Sequence, residues 1–141
     1  MTAREGWIDW RGHRTWYRAV GACDAGRDPL LCLHGGPGSS HNYFARLEGL
    51  ASEGREVVVY DQLGCGRSDR PDDVDWTLQV FLDELAELRA QLNLDRIHLL
   101  GTSWGGMLAL EHALSGHGGL RSLVLSSTLA SAQEWEVESA G

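Results

Sequence analysis

The chain contains no lysine; all 12 of its basic residues are arginine. A lysine-bearing phosphate loop, a Schiff-base lysine and a Ser–Lys dyad are therefore excluded. Arginine keeps its proton at any ordinary pH and cannot serve as a general base. Bond-making chemistry must come from Ser, Cys, His or carboxylates. Cysteine is also scarce. Cys23, Cys32 and Cys65 are odd in number, widely spaced and form no CxxC pair, so no disulfide framework is indicated. A reducing, cytoplasmic setting fits that usage. Positive charge is in deficit, with 20 acidic residues and a net charge of -8. Such a chain repels phosphate backbones, which argues against a nucleic-acid partner. No stretch approaches the roughly 20 apolar residues of a membrane span, so no membrane partner is expected. Met1 to Trp10 carries Arg4, Glu5 and Asp9 and does not read as a signal peptide.

What is present is globular in kind. Of the 141 residues, 43% are hydrophobic and 23% charged, a one-domain length and an ordinary composition. Two aromatic-rich runs between Trp7 and Val20 flank Arg11-Gly12-His13 and predict a β-hairpin. Four short apolar runs follow: Leu30 to Leu33, Val57 to Tyr60, Ile97 to Leu100 and Leu123 to Leu125. Each is nearly continuous, the pattern of parallel strands covered on both faces. Between them, Leu78, Phe81, Leu82, Leu85, Leu88 and Leu92 recur at helical spacing within Thr77 to Leu92, with Thr77 as the N-cap. Asn42 to Ser52 and Trp104 to Leu114 are two further predicted helices. The alternation predicts an α/β fold with right-handed crossovers.

Three glycine-rich segments each follow a predicted strand. Gly101-Thr102-Ser103-Trp104-Gly105 is a GxSxG sequence in the strand–turn–helix context that a nucleophile elbow requires. There the serine sits on a sharp, strained turn; the positions two before and two after it, Gly101 and Gly105, crowd each other and cannot carry side chains, and Gly106 lets the helix pack close to the strand. Taken alone, the pattern also suits an ordinary glycine-rich turn. His34-Gly35-Gly36-Pro37-Gly38 is a loop whose backbone N–H groups can approach a ligand. In acyl transfer such a loop supplies one oxyanion donor, here Gly36, and the residue after the nucleophile, Trp104, supplies the other. Asp61-Gln62-Leu63-Gly64-Cys65-Gly66-Arg67-Ser68-Asp69 predicts a compact, self-bonded loop.

Together these three motifs, in this order, resemble the proline iminopeptidase family, and the resemblance extends from the hairpin near Trp7 to about Ser127. It implies an α/β-hydrolase fold, of which this chain is the N-terminal part: an antiparallel hairpin joined to a mostly parallel sheet flanked by helices. It implies Ser103 as the nucleophile and Gly36 and Trp104 as the oxyanion hole, supported by His34, Gly35, Pro37, Gly38, Asp61, Gln62, Gly101, Gly105 and Gly106. The implied substrate is a peptide or amino-acid amide that loses its N-terminal residue, often proline. No metal or organic cofactor is implied.

A serine hydroxyl needs a histidine to take its proton and a carboxylate to orient that histidine. In this fold both follow the serine in sequence. After Ser103 stand only Glu111, His112, His117, Glu134, Glu136 and Glu138, and no histidine follows the last three. Glu111 and His112 lie on the helix leaving the elbow, and His117 in a loop at the far end of the sheet. Of the earlier histidines, His34 suits a structural role, and His41, near the pocket mouth, is the one unusual candidate for a base. His13 and His98 show no metal-ligand spacing. No general base or acid is expected within the chain. Residues 1–129 are expected to form the N-terminal part of the core and 130–141 the start of a cap region cut short. The strand at Leu123 to Leu125 would then be an apolar sheet edge that favours self-association. Two alternatives stay open: an esterase of the same fold, and a non-catalytic binding module or split-protein subunit.

Overall fold

The computed structural model describes residues 2–35 and 41–126, the side chains of residues 41–46 excepted. The expected cap region at 130–141 lies outside the described residues, as do Gly36, Pro37 and Gly38. The hairpin forms from β1 (Ala3–Trp10) and β2 (His13–Val20), longer on its first arm than the aromatic pattern implies. Arg11 and Gly12 both adopt positive φ, 50° and 80°, and close the two-residue turn between the paired Trp10 and His13. That left-handed pair matches the right-handed twist of the strands.

Strands β3 (Leu30–Leu33), β4 (Val57–Tyr60), β5 (Ile97–Thr102) and β6 (Leu120–Ser126) complete a six-stranded sheet in the order β1-β2-β4-β3-β5-β6. The β1–β2 and β2–β4 pairings are antiparallel and the rest parallel. One face is covered by α1 (Leu78–Gln91) and α2 (Trp104–Leu114), which bury Leu31, Leu33, Val58, Leu85, Leu99 and Leu108 in one core. The other face carries a smaller cluster of Val20, Leu30, Cys32, Ala51, Val57 and Val59, with Leu100 at its margin. Its cover is a 3₁₀ helix, His41–Glu53, where the sequence predicts an α-helix over Asn42 to Ser52. Near its end the Ser52 hydroxyl donates to the Gly49 carbonyl at 2.7 Å.

The central strands β3 and β4 are buried along their whole length, as a parallel interior predicts. The last strand is not. Val124 and Leu125 are 49% and 39% exposed, because β6 has no outer neighbour among the described residues and the 3₁₀ helix does not extend over it. The apolar edge expected at Leu123 to Leu125 is thus an edge among the described residues. Thr77 occupies the N-cap of α1 in extended conformation, but its side chain makes no capping bond.

Candidate active site

Ser103 joins the end of β5 to the start of α2 with φ 53° and ψ -119°. A β-substituted residue in that region costs on the order of 1–3 kcal/mol and persists only where the surroundings dictate it. The surroundings do so here. The Ser103 N–H donates to the Ser126 carbonyl at 2.9 Å, and the Ser103 carbonyl accepts from the N–H groups of Gly106 (3.0 Å) and Met107 (3.2 Å). A Cβ on Gly101 would stand 2.7 Å from the Gly106 Cα and closer still to the Gly105 carbonyl. One on Gly105 would stand 2.5 Å from the His34 carbonyl oxygen and closer still to that of Leu33. The chain therefore turns over itself with no room for side chains at either flank, and the serine is held at the C-terminal ends of the parallel strands.

The loop after β3 presses against the same point. A Cβ on Gly35 would lie 3.1 Å from the Thr102 carbonyl oxygen and 3.2 Å from the Ser103 Cβ. His34 is fully buried. Its Nε2 accepts from the Gln62 backbone N–H at 2.9 Å, so the ring is neutral with its proton on Nδ1, which faces the Gly35 carbonyl at 3.1 Å. The Gln62 side chain donates from Nε2 to the His34 carbonyl at 2.9 Å and accepts at Oε1 from the Trp104 indole Nε1–H at 3.0 Å. The rest of that loop bonds to itself and to the hairpin. Asp61 accepts from the Arg67 N–H at 2.9 Å, and the Ser68 hydroxyl donates to the Asp61 carbonyl while accepting from the Trp16 N–H at 2.8 Å.

The other titratable groups are placed elsewhere. His112 lies nine residues from Ser103, about 13 Å along the helix at 1.5 Å per residue. It is fully buried, stacks on His117 with ring centroids 4.5 Å apart, and accepts from the Arg89 guanidinium at 3.0 Å through Nε2. Burial, together with the His117 and Arg89 charges, lowers its pKa to about 4. Arg89 also donates to the carbonyls of Leu94, Asp95 and Gly118, which closes the end of the sheet opposite the elbow. His98 pairs with the Ser122 hydroxyl at 2.6 Å, and His13 packs edge-on to Trp10. Glu134, Glu136 and Glu138 lie outside the described residues, and His41 is described only by its backbone.

Two buried charged residues on α1 were not anticipated from the sequence. Glu84 and Arg89 both turn inward. Their spacing carried the signal: Glu84 is three residues after Phe81 and four before Leu88, on the apolar stripe. Among the described residues, no group of His, Cys, Asp and Glu side chains is arranged to hold a metal ion, and no helix is long and apolar enough to cross a membrane.

An elbow serine, with His34–Gly35 and the loop over residues 61–69 beside it at one end of a mostly parallel sheet, and an antiparallel hairpin on the sheet's edge define a recognisable scaffold. The sequence pattern of the alpha/beta hydrolase fold matches residues 28–139. The chain belongs to the alpha/beta hydrolase fold family. Within it, the chain is similar to the proline iminopeptidase of Clostridium botulinum, 49% identical over 140 residues, which are 98% of this chain and 48% of that protein. It is similar also to the proline iminopeptidase of Lactobacillus delbrueckii subsp. lactis, 51% identical over 143 residues. Among solved structures, the proline iminopeptidase of Mycobacterium smegmatis superposes with a TM-score of 0.87 at 38% identity, over 97% of this chain and 48% of that one. The alpha/beta hydrolase chain thus spans about half the length of the curated relatives it matches.

Proposed function

We propose that this chain is the nucleophile-bearing part of a serine hydrolase of the proline iminopeptidase type. The observation that carries the reading is the Ser103 turn, strained at φ 53° and braced by Gly101, Gly105 and the His34–Gly35 loop. The Ser103 hydroxyl attacks the acyl carbon of a peptide or amino-acid amide. The carbonyl electrons move onto oxygen, which accepts from the backbone N–H groups of Trp104 and Gly36. The α2 N-terminus adds its positive dipole end. The amine leaves with a proton, an acyl-serine remains, and water releases the N-terminal residue. The substrate preference for an N-terminal proline rests on the names of the similar proteins.

His34 does not serve as the base in this scheme, because its Nε2 is occupied by a backbone N–H. The orienting acid and the histidine base come from outside these 141 residues, so the chain alone turns over negligibly. Loss of a triad member lowers turnover by about 10⁴–10⁶ in related chemistry.

The test uses the full product of the reading frame that contains this chain, beside residues 1–141 alone. The full product is expected to release chromophore from a proline-linked amide and to take up a fluorophosphonate on Ser103, both abolished in Ser103→Ala. Absence of turnover and labelling in the full product would overturn the hydrolase reading. Robust, Ser103-dependent turnover by residues 1–141 would overturn the assignment of the base to another segment.

A further inference from the structure

One buried side chain ties together all three glycine-rich motifs, and the proposed chemistry does not itself consume it. Gln62 is 1% exposed. Its backbone N–H holds the His34 ring at 2.9 Å, its amide nitrogen holds the His34 carbonyl at 2.9 Å, and its amide oxygen holds the Trp104 indole at 3.0 Å. We infer that Gln62 is a positioning residue for acyl transfer: it sets the separation between the His34–Gly35 loop and Trp104, and so the aim of the Trp104 backbone N–H. The inference rests on the acyl-transfer reading above.

The chemistry of the amide fits this task. The His34 carbonyl can only accept and the indole N–H can only donate, so the amide orientation is unambiguous. A carboxamide presents a donor and an acceptor side by side in one rigid plane without titrating. The backbone behind it is anchored in turn, because the Leu63 N–H donates to the buried Glu84 carboxyl at 2.8 Å. On its other side the Trp104 ring packs edge-on against Phe81, with centroids 5.6 Å apart. Trp104 is the first residue of α2, so its ring and its backbone N–H are held as one unit. An oxyanion donor is effective only when it is aimed before the reaction at the place where charge will develop.

The test compares Gln62→Met, Gln62→Glu and Trp104→Phe in the full product of the reading frame. Gln62→Met keeps the volume and removes both side-chain bonds; kcat is expected to fall about 10–100-fold with KM little changed. Gln62→Glu retains the acceptor for the indole but, when ionised, loses the donor. Its kcat relative to the parent is therefore expected to recover as pH falls and a protonated carboxyl again donates to the His34 carbonyl. The Trp104 indole resonance in ¹H–¹⁵N spectra, identified by its disappearance in Trp104→Phe, is expected to move upfield in Gln62→Met. A merely structural role would lower the melting temperature while leaving kcat of the folded variants at the parent value, with no pH-dependent recovery in Gln62→Glu, and that result overturns the inference. An unmoved indole resonance overturns it as well. Should Gln62→Met not fold, the pH recovery of Gln62→Glu decides the matter. Persistence of turnover in Ser103→Ala would instead sink the acyl-transfer reading, while the indole shift would still report the Gln62 contact.

Discussion

Replacing Glu84 with glutamine probes the most unusual ionisable group in the core. The Glu84 carboxyl is fully buried on α1. Its Oε2 accepts from the Thr15 hydroxyl at 2.6 Å and the Leu63 N–H at 2.8 Å, and Thr15 in turn accepts from the Trp10 indole N–H at 2.9 Å. Its Oε1 and the Tyr60 hydroxyl have no partner among the described residues. Burial raises the Glu84 pKa from 4.5 to about 8, against the two hydrogen bonds, which lower it. Between those values the folded chain holds a proton that the unfolded chain has lost. Stability is therefore fully present below the unfolded value and falls as pH rises toward 8, by about 1.4 kcal/mol for each pH unit. Across the whole window the loss is on the order of 5 kcal/mol. Glutamine cannot ionise, keeps an oxygen for Thr15 and Leu63, and turns N–H groups toward the unpartnered side. Glu84→Gln is expected to match the parent near pH 5 and to exceed it by several kcal/mol near pH 8. Urea unfolding followed by tryptophan fluorescence from pH 5 to 8 measures the difference. Parallel stability profiles for the two proteins, or a variant weaker than the parent at pH 8, would refute the reasoning.

Two further outcomes follow from the geometry. Gly105→Ala drives a methyl group against the Leu33 and His34 carbonyls, whereas Gly118→Ala meets nothing within 4 Å. The first is expected to cost at least about 3 kcal/mol in denaturant titrations and the second to stay close to the parent. The exposed β6 edge, with Val124 and Leu125 uncovered, is expected to make the 141-residue chain self-associate. Sedimentation equilibrium should show that association weakened in Val124→Lys; a parent chain that is monomeric at high concentration would contradict it.

Much of the fold was legible in the chain. Four apolar runs and helical leucine spacing predicted strands and helices that the structure contains, because each pattern matches the period of its backbone. The edges of that reading failed for physical reasons. The 3₁₀ form of His41–Glu53 is not encoded in apolar spacing, which reports the buried face and not whether each N–H bonds three or four residues back. The apolar run ending β6 has the composition of an interior strand, and its expected place at the sheet edge came from the family resemblance and not from the run itself. Gln62 stood inside a motif but with no indication of its partners, since its bonds reach 28 and 42 residues along the chain. Glu84 and Arg89 were visible as charges on an apolar stripe, an irregularity that the leucine pattern obscured.

By itself, the sequence determined the kind of chemistry available. The absence of lysine excluded a lysine nucleophile or base, and a serine between glycines at a strand–helix junction pointed to a hydroxyl nucleophile that would depend on a histidine, with a non-catalytic binding module left open. These are matters of residue type and local spacing, and they need no knowledge of distant contacts. Only the tertiary structure decided which histidines are spent elsewhere. His34 is held by a backbone donor of another loop, and His112 is buried against Arg89 at the opposite end of the sheet. Whether a histidine acts as a base depends on what touches its second nitrogen, and that partner is brought there by the strand order, which no local pattern contains.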